Sequence, residues 1–376
     1  MLDLHRLCRD MSDPKSPLRR EAENCIGRTA VCLERPGSRT AELLALWRED
    51  FRVIYGEVSL SAHKRLDPEN LLCAYGLDPG PEDAREERMQ TLVFAIQTCY
   101  SLLVKFAVAA TLGDSLQDWA GVIEGPFTRR HGVMNYCAGD CYCWPLYELD
   151  AGMGRVLEMT AAQVTRYSSD GPGGAVRTGR DDIKRLYEAL IPAQLRHALG
   201  EYYTPDWLAE YTLKKGVALS GADVRHLRIA DPACGSGTFL LQAIARKRQA
   251  GSNLEEILQT VRGYDINPLA VLTAKTNYLL AVLDLLEDRA DALELPVYQM
   301  DALTMGADTA GADLVAGNPP WVNWEYLPPS GRRTAPRPPP RRGIFSVPPD
   351  PPPGEPAAPC RPADGTAGNP PRSGRI

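Results

Sequence analysis

A glycine turn between an apolar strand and an amphipathic helix is the feature that most constrains the fold of this chain. Residues 227–237 read LRIADPACGSG, and a helical pattern continues over residues 238–246. Gly235 and Gly237 let the backbone approach a ligand without a Cβ in the way, and the N-terminus of the helix follows at once. This order predicts the first strand, turn and helix of a nucleotide-binding α/β unit.

The residues around the glycines indicate which ligand the turn binds. The spacing differs from the dinucleotide fingerprint, because Phe239 and Leu240 stand where the third glycine should be. Asp231, at the end of the strand, would repel a phosphate but can accept a hydrogen bond from an amino or cationic group. We therefore expect the methionine end of S-adenosylmethionine here, rather than a pyrophosphate.

Two further strands are predicted to end in acidic residues. Residues 261–268 read VRGYDINP, a strand that ends in Asp265 before a helix starting at Pro268 and running to about residue 286. A carboxylate at this place can accept both ribose hydroxyls of an adenosine cofactor, although it could also be a charge at a helix N-terminus. A third strand, residues 295–300, precedes Asp301 and Ala302, where a carboxylate could meet the cofactor's adenine amino group.

A rigid turn follows the fourth predicted strand. Residues 313–321 read DLVAGNPPW. The side-chain oxygen of Asn318 and the carbonyl of Pro319 can each accept one N–H of an exocyclic amine, which makes its nitrogen more nucleophilic. Pro320 stiffens the turn, and Trp321 offers a face for a flipped base, a contact worth about 1–3 kcal/mol. These four residues are the predicted catalytic set; an ordinary Pro-Pro turn is the alternative.

Together with residues 199–207, LGEYYTPDW, these segments resemble the adenine-N6 DNA methyltransferases of restriction-modification systems, in which the cofactor motifs precede the catalytic motif. The resemblance covers roughly residues 186–327. It implies S-adenosylmethionine as cofactor, double-stranded DNA with a flipped adenine as substrate, and subunits of a restriction-modification system as partners. The predicted cofactor-binding residues are Tyr203, Thr204, Pro205, Asp231, Ala233, Gly235, Gly237, Asp265, Asn267, Asp301 and Ala302.

Related enzymes leave other substrates open. Those that methylate glutamine in release factors, or bases in ribosomal RNA, share the catalytic turn but more often carry Tyr or Phe where Trp321 stands. They also usually lack a long helical region ahead of the cofactor motifs. We therefore favour DNA, with a protein or RNA methyltransferase and a non-catalytic remnant that binds cofactor or DNA as the alternatives.

The N-terminal part of the chain is predicted to be mostly helical, with periodic stretches at residues 42–55 and 88–112. The most apolar stretch, residues 91–112, carries Gln97, Ser101 and Lys105, which favours a buried helix over a membrane span. The first residues have no apolar segment of signal-peptide length. We therefore expect no membrane partner.

Ten cysteines in a long chain without a secretory signal predict reduced thiols in a cytoplasmic protein. His131, Cys137, Cys141 and Cys143 lie close together, but their spacing is unlike that of structural zinc sites, so no metal is predicted. The net charge of −6 neither supports nor excludes DNA binding.

The predicted fold class is α/β, with three parts. A mostly helical region, residues 1–180, precedes an incomplete Rossmann-like methyltransferase sheet in residues 181–327 and a disordered Pro/Arg-rich tail, residues 328–376. The tail holds half of the 32 prolines, and we favour a shifted reading frame over a basic binding tail. Because about three more strands would complete a doubly wound sheet, we expect the family's chemistry as the ancestral function and doubt that this chain performs it alone.

Overall fold

The computed structural model describes residues 2–35, 39–56, 58–148, 150–168, 181–286, 292–304 and 311–319. Pro320, Trp321 and the predicted tail lie outside these residues.

The N-terminal part is helical, as predicted. Its helices are α1 (Leu4–Ser12), α2 (Pro17–Leu33), α3 (Arg39–Tyr55), α4 (Pro68–Ala74), α5 (Arg85–Thr111), α6 (Trp119–Glu124) and α7 (Ala151–Thr165). Short 3-10 segments lie at Glu82–Ala84, Leu116–Asp118, Pro126–His131 and Trp144–Leu146. Two short helices, α8 (Asp182–Leu190) and α9 (Ala193–Ala198), lead into the α/β part.

Helix α5 is the centre of the helical part and packs against α2, α3, α6 and α7. Its length and apolar composition are those of a membrane span, yet its most apolar window is entirely buried inside the protein. The buried charge of Lys105 on α5 has partners there: Lys105 forms an ion pair with Asp140 and donates to the Ile123 carbonyl at 2.8 Å. The prediction of a buried helix is confirmed.

The α/β part contains a four-stranded parallel sheet in the order β3-β2-β1-β4. The strands are β1 (Ile229–Asp231), β2 (Val261–Asp265), β3 (Val297–Gln299) and β4 (Leu314–Val315). The helices are α10 (Asp206–Ser220), α11 (Thr238–Gln249), α12 (Leu254–Thr260) and α13 (Pro268–Val282). The four predicted strands are confirmed, although β3 and β4 are shorter than expected. Strand β3 starts after Pro296, which has no N–H to donate to the ladder.

The strand order places a reversal point between β1 and β4. From β1 the chain passes through α11 and α12 to β2 on one side, whereas β4 pairs with the other side of β1. In open parallel sheets, ligands bind outside the carboxyl ends of the strands at such a reversal. The residues that follow β1 and β4 therefore flank the expected ligand position.

The helical part and the sheet share one core. Tyr100 of α5 forms a hydrogen bond with Thr273 of α13 at 3.1 Å between their side-chain oxygens. The Asn135 side chain binds both backbone groups of Leu295, ahead of β3, at 2.8 and 2.9 Å. These contacts cross the boundary predicted near residue 180, which itself stays a prediction.

Candidate cofactor and catalytic site

The glycine turn between β1 and α11 has the backbone shape that only glycine adopts easily. Gly235 and Gly237 have positive φ angles of 54° and 87°. A Cβ on Gly237 would lie 3.2 Å from the Cβ of Ala274 on α13, so a side chain there would also crowd that helix. The turn is closed by a hydrogen bond from the Gly237 N–H to the Cys234 carbonyl at 2.8 Å.

Asp231, the last residue of β1, is 1% exposed. Its Oδ1 accepts from the Ala233 N–H at 3.1 Å, while its Oδ2 is buried with no hydrogen-bond partner among the described residues. Burial raises the pKa of Asp231 to about 8; the Ala233 hydrogen bond opposes this rise and the Asp265 charge adds to it. A ligand with an ammonium group or an N–H would satisfy the remaining oxygen.

Asp265, at the end of β2, holds the glycine turn in place. Its Oδ2 accepts from the Gly235 N–H at 2.8 Å, and its Oδ1 accepts from the Asn267 N–H at 2.9 Å. Burial raises the pKa of Asp265, and these backbone hydrogen bonds oppose that rise. A carboxylate has about four acceptor positions, so Asp265 can still accept from a ribose hydroxyl.

The Asn267 side chain makes structural contacts. Its Oδ1 accepts from the Leu269 N–H at 2.9 Å and caps α13, and its Nδ2 donates to the Tyr55 hydroxyl at 3.1 Å. Both polar atoms of the Asn267 side chain are therefore engaged within the protein. Any contact with a cofactor would come from the backbone of Asn267, and this role stays a prediction.

The predicted N-terminal cofactor segment lies beside the glycine turn. The ring of Tyr203 comes within 4.0 Å of the position that a Cβ on Gly235 would take. Lys184 of α8 fixes the following residues: its Nζ donates to the Thr204 carbonyl at 3.1 Å and to Asp206 Oδ1 at 2.8 Å. Pro205 is the N-cap of α10.

The predicted catalytic turn reaches the same place from β4. A Cβ on Gly317 would lie 2.9 Å from Cγ of Asp231 and would overlap its Oδ1. Asn318, the next residue, is half-buried, and Pro319 is exposed. The start of the catalytic turn therefore lies against the carboxylate at the base of the glycine turn.

Asp301 and Ala302 follow β3 at the same sheet edge, and both are half-buried. The N–H of Met300 donates to the Asp265 carbonyl at 2.9 Å, which ties the end of β3 to the end of β2. Asp301 then begins a short 3-10 segment, Ala302–Thr304. The predicted adenine-binding position is thus next to the predicted ribose-binding carboxylate.

The sequence did not lead us to predict two acidic residues that contact the site, Asp181 and Glu201. Asp181 is fully buried; it accepts from the Lys184 N–H at 2.8 Å, Asn277 Nδ2 at 2.7 Å, Thr238 Oγ1 at 2.9 Å and the Ser236 hydroxyl. The position of Asp181 before an amphipathic helix is typical of an N-cap, and the sequence carries that signal. Its hydrogen bonds to Ser236 and Thr238 at the glycine turn join residues far apart in the chain, so the sequence does not indicate them.

The second missed residue, Glu201, lies within the quoted LGEYYTPDW segment. Its two oxygens accept from the Tyr55 hydroxyl at 2.9 Å and the Tyr187 hydroxyl at 2.6 Å. Burial raises the pKa of Glu201; both hydroxyls oppose this rise and the Asp265 charge adds to it. Burial raises the pKa of Glu201, Asp231 and Asp265 alike, and a cationic ligand at the site would favour their ionised forms.

The cysteines give no metal centre in the described parts of the chain, where no three or more His, Cys, Asp or Glu side chains are grouped to hold an ion. His131 Nε2 instead bonds Asp114 Oδ2 at 3.0 Å. The nine cysteines within the described ranges are all free thiols.

Residues 178–338 match the N-6 DNA Methylase family. This part of the chain is similar to that family. The resemblance to the adenine-N6 DNA methyltransferases of restriction-modification systems is thereby confirmed, and two relatives agree with it.

The chain is also similar to two curated proteins. Adenine-specific methyltransferase PglX of Streptomyces coelicolor is 31% identical over 128 residues, which span 31% of this chain and 10% of that protein. The Type I restriction enzyme MjaIX methylase subunit of Methanocaldococcus jannaschii is 29% identical over 104 residues, 27% of this chain and 17% of that protein. The matches thus span only a small part of each relative.

Among solved structures, the chain resembles a DrdV–DNA complex determined by cryo-electron microscopy. The superposition covers 84% of this chain and 29% of that chain, with 12% sequence identity and a TM-score of 0.48.

Proposed function

We propose that the N-6 DNA methylase segment binds S-adenosylmethionine and transfers its methyl group to N6 of adenine in DNA, within a restriction-modification system. The observation that carries this proposal is the contact between Gly317 and Asp231, because it brings the predicted catalytic turn to the predicted cofactor turn. The family match and the two relatives support the reaction.

The residues present fit S-adenosylmethionine. The buried Oδ2 of Asp231 lacks a partner among the described residues, as expected of an acceptor for the ammonium of the methionine end. Asp265 would bind the ribose hydroxyls and Asp301 the adenine amino group. Gly235 and Gly237 let the ligand approach the backbone, and their positive φ angles would strain any other residue at these positions.

The segment before α10 completes the cofactor side. Tyr203, Thr204 and Pro205 would cap the methionine portion, since Tyr203 already lies at Gly235 and Lys184 fixes the Thr204 carbonyl. Ala233 contributes through its N–H, which orients the Asp231 carboxylate.

On the substrate side, Asn318 Oδ1 and the Pro319 carbonyl would each accept one N–H of the target amine. Their acceptance shifts electron density onto the nitrogen and directs its lone pair towards the cofactor. When bound, S-adenosylmethionine supplies an electrophilic methyl group on a sulfur that leaves with the bond's electron pair. Positioning the two reactants in line is then the main contribution of the protein. Pro320 and Trp321 keep their proposed roles of stiffening the turn and stacking on the base.

The test is Asn318→Ala, with Asn70→Ala on the exposed surface of α4 as the matched control. We expect labelled methyl transfer to adenine-containing DNA to fall at least about 100-fold, the usual effect of removing one hydrogen-bonding group from a preorganised active site. Binding of S-adenosylmethionine, measured by calorimetry, should change less than about twofold. Equal loss of both in Asn318→Ala would contradict the role of this residue.

The substrate is tested with the same assay on RNA and on release-factor peptides. Transfer to either of these, with none to DNA, would replace DNA as the substrate. Cofactor binding without transfer to any of the three would favour the non-catalytic alternative.

A further inference from the structure

We propose that Tyr55 of α3 is a positioning residue of the cofactor site, through which the helical N-terminal part sets the affinity for S-adenosylmethionine. This inference rests on the proposed function, because it concerns the cofactor of that same site. No residue of α3 belongs to the predicted cofactor set, and Tyr55 lies outside residues 178–338.

The hydroxyl of Tyr55 is buried and uses its full hydrogen-bonding capacity. It donates to Glu201 Oε1 at 2.9 Å and accepts from Asn267 Nδ2 at 3.1 Å and Gln97 Nε2 at 3.2 Å. A phenol has one donor and two acceptor positions, and here all three are used. Tyr55 is only 8% exposed, so water has little access to replace these partners.

The first partner, Glu201, controls the wall of the site that Tyr203 forms. Glu201 lies two residues before Tyr203, whose ring reaches Gly235. The other oxygen of Glu201 accepts from Tyr187, and the rings of Tyr187 and Tyr203 meet edge to face at 5.5 Å. Fixing Glu201 therefore fixes the segment predicted to cap the methionine end.

The second partner, Asn267, controls the wall that Asp265 forms. The N–H of Asn267 donates to Asp265 Oδ1, and the other oxygen of Asp265 holds Gly235. The Asn267 side chain both caps α13 and binds Tyr55, so the turn after β2 is held from both sides. A single hydroxyl thus joins the two walls on either side of the glycine turn.

Tyr55 is itself held by the helical part. Gln97 of α5, which donates to Tyr55, accepts from Trp47 Nε1 at 3.1 Å and the Tyr142 hydroxyl at 3.3 Å. The chain of hydrogen bonds runs from α5 through Tyr55 to both walls. Loss of the hydroxyl would leave a carboxylate oxygen and two amide N–H groups without this partner, and would release both walls.

The test uses Tyr55→Phe in the full chain, with Tyr136→Phe as the matched control. Tyr136 is also buried, and its hydroxyl bonds Thr276 Oγ1 at 2.8 Å, so the control also removes one buried hydroxyl. We expect Tyr55→Phe to weaken S-adenosylmethionine binding about tenfold and Tyr136→Phe less than twofold, measured by calorimetry. In methyl-transfer assays, Tyr55→Phe should raise KM for the cofactor and change kcat less than twofold.

Amide hydrogen exchange without ligand gives an independent measurement. Tyr55→Phe should speed exchange in residues 201–205 and 265–269 at least about fivefold, and Tyr136→Phe should not. Unchanged affinity in Tyr55→Phe, or unchanged exchange in both segments, overturns the proposal. If the unsubstituted chain binds no S-adenosylmethionine while exchange still rises, the positioning role of Tyr55 is supported and the cofactor of the proposed function is wrong.

Discussion

The carboxylate of Asp231 lies against Gly317, so that a Cβ on Gly317 would come within 2.9 Å of the Asp231 Cγ. Asp231 ends β1 and Gly317 follows β4, the neighbouring strand at the reversal point of the sheet. The two predicted halves of the site, one for a cofactor and one for an amine, are therefore joined by direct contact.

Gly317→Ala should disrupt this contact. The added methyl group must displace Asp231 or move the turn that carries Asn318, at a cost of about 1–3 kcal/mol in the free energy of unfolding. We expect methyl transfer to fall more than about tenfold, measured with labelled cofactor on DNA. The control is Gly154→Ala in α7, where a Cβ would meet nothing within 4 Å. Full activity in Gly317→Ala would show that the contact is dispensable.

Asp231 should make stability depend on pH. Its pKa in the folded protein, about 8, lies above the ordinary 3.8, so the folded state holds the proton more tightly than the unfolded state. The resulting stabilisation is complete below about pH 4 and is lost as the pH rises through about 8.

We therefore expect the free energy of unfolding of the natural chain to fall between pH 5 and pH 8 relative to that of Asp231→Asn, whose amide does not titrate. Urea unfolding at several pH values measures the difference. A difference that stays constant over this range would be incompatible with the raised pKa of Asp231.

Asp181→Ala should be far more costly than loss of an ordinary helix cap. The carboxylate caps α8 and also accepts from Asn277, Thr238 and Ser236, whose donors would be left buried. We expect a loss of about 3 kcal/mol or more in the free energy of unfolding.

The matched control is Asp67→Ala, which removes an exposed cap of α4 that accepts from the Asn70 N–H at 3.1 Å. Its expected cost is about 1 kcal/mol. Equal costs in the two variants would mean that the link between Asp181 and the glycine turn adds nothing to stability.

Several elements were predictable because their signals are local. Strand β2 has the predicted bounds, Val261–Asp265, and α13 begins at Pro268, where a proline at the first turn needs no N–H partner. The buried character of α5 followed from its apolar composition. By contrast, the short β3 and β4 depend on pairing with neighbours, and their ends could not be located from composition alone.

The sequence by itself determined the order of strand, glycine turn and helix, the acidic strand ends and the family that residues 178–338 match. These follow from the chemistry of adjacent residues. Only the tertiary structure decided that Tyr55 binds both Glu201 and Asn267, and that Asp231 is buried with a raised pKa. Glu201 and Asn267 are 146 and 212 residues away from Tyr55 in the chain, so they meet it only when the helices pack around the sheet. The same packing removes water from around the Asp231 carboxylate and so raises its pKa.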